Sequence, residues 1–186
     1  RVESNARQLS NSFKLIENRN EIKTKYEEIF GDLTTEEISL LNLDEHMWMW
    51  SRGVGYHHAG LAPIVKEFVE YLFLNKHIKF LFATETLALG INMPAKAIFI
   101  DRLHKYDGIK TRPITRSEFL QLSGRAGRRG IDDKGYAFLS YDRSINKDWY
   151  SNLFTLKSSN LNSAFSVSYS SILSLLNIYS TEESIE

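Results

Sequence analysis

The sequence predicts an α/β fold in which a parallel β-sheet is flanked by helices. Three short, dense apolar runs are typical of buried parallel strands, and they cover residues 78–83, 97–100 and 136–139. Stretches with helical spacing of apolar residues precede or separate these runs, at 61–74, 84–89 and 115–123. Strands that alternate with helices along a chain form parallel sheets, because each crossover helix returns the chain to the same end of the sheet.

Local patterns predict the remaining elements. Residues 2–30 are polar and helix-prone, with an apolar stripe formed by Leu9, Phe13 and Ile16. The segment from Thr34 to Glu37 is typical of a helix start, because a hydroxyl cap is followed by acidic residues. We also predict a helix over 45–51, a short strand over 54–56, and an amphipathic helix over 161–176 that packs against another surface.

Composition narrows the classes of function. The 186 residues are 42% apolar, which allows a buried core, and the absence of cysteine excludes disulfides and thiol catalysis. No apolar run has the roughly 20 residues that a membrane helix needs, so we expect an intracellular protein without a membrane partner. The chain does not begin with Met, and we expect it to be part of a longer protein. The net charge is zero, but residues 101–134 carry nine Lys or Arg against five Asp or Glu, which fits either a phosphate-binding face or ordinary surface charge.

A segment rich in glycine and arginine, residues 121–130 (QLSGRAGRRG), holds the strongest candidate site. Arg125 and Arg128 are three residues apart, so a helix would present both on one face. Two guanidinium groups beside glycines can clamp phosphate oxygens, since arginine is a rigid, permanently charged donor and glycine lets the backbone approach closely. The alternative is a basic turn on the surface.

A second candidate follows the apolar run that ends at Ala83. Thr84 can offer its hydroxyl and backbone N–H to a phosphate at a helix start, and Gly90 with Asn92 suits a nucleotide sugar or phosphate. The alternative is an ordinary turn between a strand and a helix. The pair His57-His58 does not predict a metal site, because neighbours in a strand point to opposite faces and nothing is spaced to complete the ligand set. We expect one histidine to be packed and the other to be functional at most.

Taken together, residues 83–95 and 121–130 resemble motifs V and VI of superfamily 2 helicases, and residues 53–61 resemble the block ahead of motif V in the DExH branch. Residues 105–108, 130–135 and 161–177 are similar to superkiller-type and exosome-associated RNA helicases. The resemblance implies a RecA-like, P-loop NTPase-like helicase C-terminal domain. It divides the chain into a helical part at 1–50, a core at 51–142 and a helical extension at 143–186, and the first strand of the sheet would be missing.

The resemblance also implies roles for the residues of the glycine- and arginine-rich segment. Gln121, Arg125 and Arg128 would face ATP across a cleft to the first motor domain, and both arginines would touch the γ-phosphate. Gly90 and Asn92 would lie near the nucleotide and couple it to the nucleic acid.

The same resemblance implies a nucleic-acid track. Thr84 would hold a phosphate of the strand, Glu85 would be a structural or coupling residue beside it, and His58 would also face the strand. The implied partners are single-stranded RNA, the first motor domain and an RNA-decay complex.

The chain lacks the parts that hold the triphosphate and its metal. No Gly-x-x-x-x-Gly-Lys-[Ser/Thr] loop is present, and Asp44-Glu45-His46 lacks the spacing of the magnesium-binding acidic motif, so we interpret it as helix surface. Magnesium ligands are therefore expected on the first motor domain, and the chain alone should have negligible ATPase activity. The implied function is the second motor domain of an ATP-dependent RNA helicase. The alternatives are a DNA-repair helicase of the same superfamily and a non-catalytic module that binds nucleic acid or protein.

Overall fold

A computed structural model describes residues 1–13, 20–85, 95–128, 130–155, 169–170 and 172–173. The chain forms two compact units, Arg1–Thr155 and Leu156–Glu186. The amphipathic helix predicted over 161–176 falls almost wholly outside the described residues, as does most of the helix predicted over 84–89. No helix in the part of the chain that the structure describes is both long enough and apolar enough to cross a membrane.

The first unit begins with helices. The predicted helical region 2–30 contains two of them, and two more follow where the sequence predicts helices. Their bounds are α1 Val2–Ser12, α2 Asn20–Phe30, α3 Thr35–Leu40 and α4 Leu43–Trp50. The predicted start of α3 is confirmed: the Thr34 hydroxyl accepts from the Glu37 backbone N–H at 3.3 Å, and the Glu37 carboxylate accepts from the Thr34 N–H at 2.8 Å.

The next three elements form a parallel β-α-β unit. They are β1 Val54–His57, α5 Pro63–Leu74 and β2 Phe80–Ala83. The strands pair in parallel from Val54 opposite Phe80 to His57 opposite Ala83. Pro63 opens α5, where its missing N–H costs nothing. The apolar stripe of α5 packs in the main core with residues of α2, α4 and the segment before β2, and the buried members of this core are Ile22, Phe30, Leu43, Trp50, Val65, Phe68, Val69, Leu72 and Ile78.

The second half of the unit contains another parallel pair and a hairpin. Its elements are β3 Ala97–Ile100, β4 His104–Tyr106, β5 Thr111–Pro113, α6 Arg116–Ser123, β6 Tyr136–Leu139 and α7 Lys147–Thr155. Strands β3 and β6 are parallel, whereas β4 and β5 form an antiparallel hairpin. The predicted α/β class with parallel strands is therefore confirmed.

The prediction that the three apolar runs are strands is confirmed, but the prediction that they are buried on both faces is wrong. One face of the β3–β6 pair packs with α6 and α7 through Ile98, Ile100 and Leu139. The other face carries the exposed aromatic rings of Phe99 and Phe138, which are opposite each other in the register. Each of these strands has a single hydrogen-bonded neighbour strand among the described residues, which leaves part of its surface uncovered.

Candidate nucleotide and nucleic-acid sites

The carboxyl ends of β1 and β2 bring together the three residues that were predicted to face nucleic acid. His57 pairs with Ala83 in the register, and the Thr84 backbone N–H continues the ladder by donating to the His57 carbonyl at 3.2 Å. His58, Thr84 and Glu85 therefore follow two neighbouring parallel strands at the same edge. Ligands of open α/β sheets bind beyond this edge, so the clustering fits a binding role.

The two histidines at the end of β1 have different surroundings. His57 is buried, and its Nε2 lies 2.9 Å from a carboxylate oxygen of Glu70 on α5. The His58 Nε2 lies 2.9 Å from Glu3 of α1, and its Nδ1 accepts from the Gly60 backbone N–H at 3.1 Å. Because Nδ1 is an acceptor, the proton of a neutral His58 is on Nε2 and points to Glu3. His57 is thus the packed histidine, and His58 is the half-buried one that remains a candidate for nucleic-acid contact.

A charged network joins Glu85 to the start of α6. The Lys105 ammonium on β4 pairs with both Glu85 and Glu118. The Glu118 carboxylate also accepts two bonds from the Arg112 guanidinium, at 2.9 and 3.0 Å. These bonds, of which those from Arg112 have the largest effect, hold the pKa of the Glu118 carboxyl well below its usual range. This network was not predicted from the sequence. The sequence does carry a recognised turn signal for the β4–β5 hairpin, the Asp-Gly pair at 107–108.

Helix α6 starts and ends close to the positions that the sequence predicts. The Thr115 hydroxyl and the Glu118 side chain form a reciprocal capping box, and Phe119 packs in the core beneath the helix. Gln121 lies on the helix with an exposed side chain. The helix ends at Ser123, where the predicted helix 115–123 also ends, so Arg125 and Arg128 lie beyond it and do not share the helix face that their spacing would allow. A φ of +93° at Gly127, between the two arginines, also prevents one continuous helix from carrying both, because a helix cannot continue through a left-handed residue.

The arginines instead lie on a turn that is fixed through its backbone; we call residues 124–132 the arginine turn. Ala95 and Ala126 form a parallel bridge, in which the Ala95 N–H donates to the Arg125 carbonyl at 3.0 Å and the Gly127 N–H to the Ala95 carbonyl at 2.7 Å. Gly135 packs so closely that a Cβ there would lie 2.2 Å from the Ala126 carbonyl oxygen. The arginine turn is therefore held between the start of β3 and the approach to β6.

Within the arginine turn, Arg128 forms a two-pronged ion pair with Asp132. Its Nε lies 2.7 Å from Oδ2 and its Nη2 lies 2.7 Å from Oδ1, while its backbone N–H donates to Oδ2 at 3.0 Å. The Arg128 hydrogen bonds lower the pKa of Asp132 to about 2, and they raise the pKa of Arg128. Asp132 was not among the predicted site residues, although an acid four residues after a candidate arginine is a pattern that suggests pairing.

The remaining candidates from the sequence are Gly90, Asn92 and the acidic segment that was interpreted as helix surface. Gly90 and Asn92 lie outside the described residues. Asp44-Glu45-His46 lies on a helix as predicted, but His46 is not on its surface: it is buried between the rings of Trp50 and Tyr56, with ring centroids 5.0 and 4.7 Å away. Burial lowers the pKa of His46 to about 4, which keeps it neutral.

The hydrogen-bond donors on the side chains of Gln121, Arg125 and Arg128 suit phosphate oxygens rather than a metal ion. Guanidinium groups and an amide donate hydrogen bonds, and magnesium requires oxygen ligands instead. No group of three or more His, Asp or Glu in the described part of the chain could hold a metal ion. The residues present therefore fit a nucleotide phosphate and do not fit its magnesium ion.

Residues 29–130 match the family described as the helicase conserved C-terminal domain. The chain belongs to this family. The predicted family and its RecA-like fold class are thereby confirmed, and the structure agrees through its mixture of helices and parallel strands.

Relatives of this helicase C-terminal domain come from the branch that the sequence indicates. The chain is 42% identical over 169 residues to "Exosome RNA helicase MTR4" of Mus musculus, and the match covers 89% of this chain and 16% of that protein. It is 38% identical to "ATP-dependent RNA helicase mtr4" of Schizosaccharomyces pombe, covering 86% of this chain and 14% of that protein. It is 39% identical to "DExH-box ATP-dependent RNA helicase DExH9" of Arabidopsis thaliana, covering 88% of this chain and 17% of that protein. The chain thus spans about a sixth of the length of these relatives.

Proposed function

We propose that this chain is the second motor domain of an ATP-dependent RNA helicase, which supplies Arg125 and Arg128 to ATP hydrolysis and contributes part of a single-strand RNA track. Family membership and the names of the relatives support an ATP-dependent helicase that acts on RNA. The observation that carries the proposal is the arginine turn, because its backbone is fixed on both sides and its arginines suit phosphate oxygens.

The arginines act on the transferring phosphoryl group. Negative charge spreads over its equatorial oxygens during transfer, and guanidinium donors that are already in position stabilise this charge without reorganisation. Arg125 and Arg128 donate to the γ-phosphate, and Gln121 contributes an amide at the nucleotide. The first motor domain, which supplies the rest of the pocket, carries the ligands of the magnesium ion that neutralises phosphate charge.

The RNA track begins at the carboxyl edge of β1 and β2. The Thr84 hydroxyl binds a phosphate of the strand, the half-buried His58 faces the strand, and Glu85 lies beside them. Glu85 pairs with Lys105, which also pairs with Glu118 on α6, the helix that carries Gln121. This chain of ion pairs offers a route by which RNA and nucleotide affect one another. The relatives named as exosome helicases support a role for the whole protein in an RNA-decay complex.

The test is an Arg128→Ala substitution in the full-length helicase. Removing an arginine that stabilises the transferring phosphoryl group costs about 10³-fold or more in turnover. We therefore expect RNA-stimulated ATP hydrolysis to fall by about that factor while the Kd for single-stranded RNA stays unchanged. Arg143→Ala is the matched control, because Arg143 is an exposed arginine outside the arginine turn.

The outcomes separate the proposal from its alternatives. A normal rate of hydrolysis in the Arg128→Ala variant would remove the proposed role of Arg128. Stimulation of the wild-type protein by single-stranded DNA but not RNA would identify a DNA helicase instead. A full-length wild-type protein that hydrolyses no ATP with either nucleic acid would indicate a non-catalytic binding module.

A further inference from the structure

Asp132 lies four residues after Arg128 and holds its guanidinium group through two atoms. Both carboxylate oxygens are engaged, with 2.7 Å from Oδ2 to Nε and 2.7 Å from Oδ1 to Nη2. The Asp132 side chain is only 6% exposed, whereas that of Arg128 is 27% exposed. A carboxylate so nearly buried requires a partner, and Arg128 is the partner that occupies both of its oxygens. We propose that Asp132 is a positioning residue, which holds the Arg128 guanidinium in the orientation that meets the γ-phosphate; this inference rests on the proposed function.

The stereochemistry of the pair allows Arg128 to hold both groups at once. A guanidinium has five N–H donors in a flat, fixed fork. Asp132 takes the side edge, which consists of Nε and one hydrogen of Nη2. The end edge of the fork, made of Nη1 and the second hydrogen of Nη2, lies outside this pair and can donate to two phosphate oxygens. Because the fork is planar, fixing its side edge also fixes the plane and direction of its end edge.

A competing interpretation is a latch, in which Asp132 withholds Arg128 from the nucleotide until a phosphate displaces it. The backbone of the turn favours positioning. Asp132 also accepts from the Arg128 backbone N–H at 3.0 Å, and the Asp132 N–H donates to the Arg128 carbonyl at 2.9 Å. Releasing the carboxylate would therefore break a bond to the main chain as well as those to the side chain, and it would leave a nearly buried charge without its main partner.

The turn that carries the pair is itself anchored. Gly127, one residue before Arg128, donates to Ala95 at 2.7 Å and would crowd the Gly135 backbone to 3.1 Å if it carried a Cβ. Asp132 lies between these two glycines in sequence, so both ends of its segment are closed by direct backbone contact. A side chain mounted on such a segment can direct a flexible arginine, because its own position is set by the main chain.

The experiment measures single-turnover and steady-state ATP hydrolysis in the full-length helicase with saturating single-stranded RNA. The test variants are Asp132→Asn, which keeps the shape and removes the charge, and Asp132→Glu, which keeps the charge and moves the carboxylate by one methylene. The matched control is Asp133→Asn, which changes the adjacent, exposed aspartate. Displacing a catalytic group by about 1 Å costs about 100-fold. We therefore expect both Asp132 variants to lower kcat by about 10- to 100-fold, with KM for ATP and Kd for RNA near the wild-type values and with Asp133→Asn unchanged.

A double substitution distinguishes positioning from a general structural role. If Asp132 acts only through Arg128, then Arg128→Ala combined with Asp132→Asn should hydrolyse ATP no more slowly than Arg128→Ala alone. The thermal unfolding midpoint of Asp132→Asn should also stay high enough that unfolding does not account for its loss of activity. An additive further loss, a normal rate in Asp132→Asn, or a faster rate as the latch predicts would each overturn the inference. Should Asp132→Asn fail to fold, a normal rate in the charge-retaining Asp132→Glu variant would overturn it. The proposed function fails separately, when Arg128→Ala itself leaves hydrolysis unchanged.

Discussion

Glu118 lies where a helix cap and a basic cluster meet, and replacing it by glutamine separates their contributions to stability. Its carboxylate accepts from the Thr115 N–H at 2.7 Å as part of the capping box of α6. The same carboxylate binds the Arg112 fork and the Lys105 ammonium, at distances of 2.9 to 3.2 Å. Glutamine retains an acceptor for the cap but loses the charge that the two basic side chains require.

The expected loss of stability follows from how exposed Glu118 and its two basic partners are. The side chains of Glu118, Arg112 and Lys105 are 21%, 28% and 31% exposed, so these ion pairs are only partly screened by water. A forked pair of this kind contributes about 1 kcal/mol, and the additional Lys105 pair contributes about 0.5 kcal/mol. We therefore expect Glu118→Gln to lower the free energy of unfolding by about 1.5 kcal/mol, of which little comes from the cap.

The chain contains a matched control in Glu37, which makes the same capping box at the start of α3. Its carboxylate accepts from the Thr34 N–H at 2.8 Å, and it has no basic side chain among the hydrogen bonds and ion pairs of the described residues. Glu37→Gln should therefore cost clearly less than Glu118→Gln, because glutamine also serves in this motif. Urea unfolding of both variants at pH 7, followed by far-ultraviolet circular dichroism, measures the difference. Equal losses in the two variants would refute the contribution of the basic cluster.

The same pair of variants tests the origin of the pKa shift. Because the pKa of folded Glu118 lies below its ordinary value of 4.5, its stabilising contribution is complete above that pH and is lost as the pH falls further. The stability difference between wild type and Glu118→Gln should therefore shrink below about pH 4.5. A difference that stays constant down to pH 3 would contradict the electrostatic explanation.

Two further predictions concern a buried histidine and the Lys105 link. His46→Phe keeps the stack on Trp50 and removes a group whose pKa is lowered to about 4 in the folded state. Because the unfolded state binds this proton more readily, the wild type should lose about 1–2 kcal/mol more stability than the variant between pH 7 and pH 5, as measured by urea unfolding. Identical losses in the two proteins would contradict this prediction. Lys105→Ala in the full-length helicase should weaken the stimulation of ATP hydrolysis by RNA several-fold, since the link between Glu85 and Glu118 is lost, whereas the exposed Lys110→Ala should not. Equal stimulation in both lysine variants would exclude Lys105 from the coupling.

Local chemistry predicted the helices well. The hydroxyl and acid at Thr34 and Glu37 define the start of α3, and Pro63 opens α5, because each of these features acts within one turn of backbone. The parallel pairing of β1 with β2 also follows from the sequence, since a helix of the length of α5 between two strands requires a crossover.

Features that depend on long-range contacts were predicted less well. An apolar run predicts a strand, but burial depends on which elements cover its two faces, and this left Phe99 and Phe138 exposed. The β4–β5 hairpin was missed because its strands have three residues each, too few for an alternating pattern to stand out. The burial of His46 depends on Tyr56, a residue from a different element.

In the arginine turn, the two candidate arginines lie in a geometry that differs from the one their spacing suggests. Spacing of three suggested a shared helix face, yet Arg125 and Arg128 lie beyond the end of α6, on main chain that Gly127 bends and Ala95 anchors. On a helix, the direction of each arginine would be set by the helix surface that carries it. In a turn closed by backbone contacts at Gly127 and Gly135, the main chain sets the position from which each arginine extends, and Asp132 within the turn holds the Arg128 guanidinium directly. The glycines of this segment therefore shape the main chain that carries the arginines, in addition to giving phosphate room to approach.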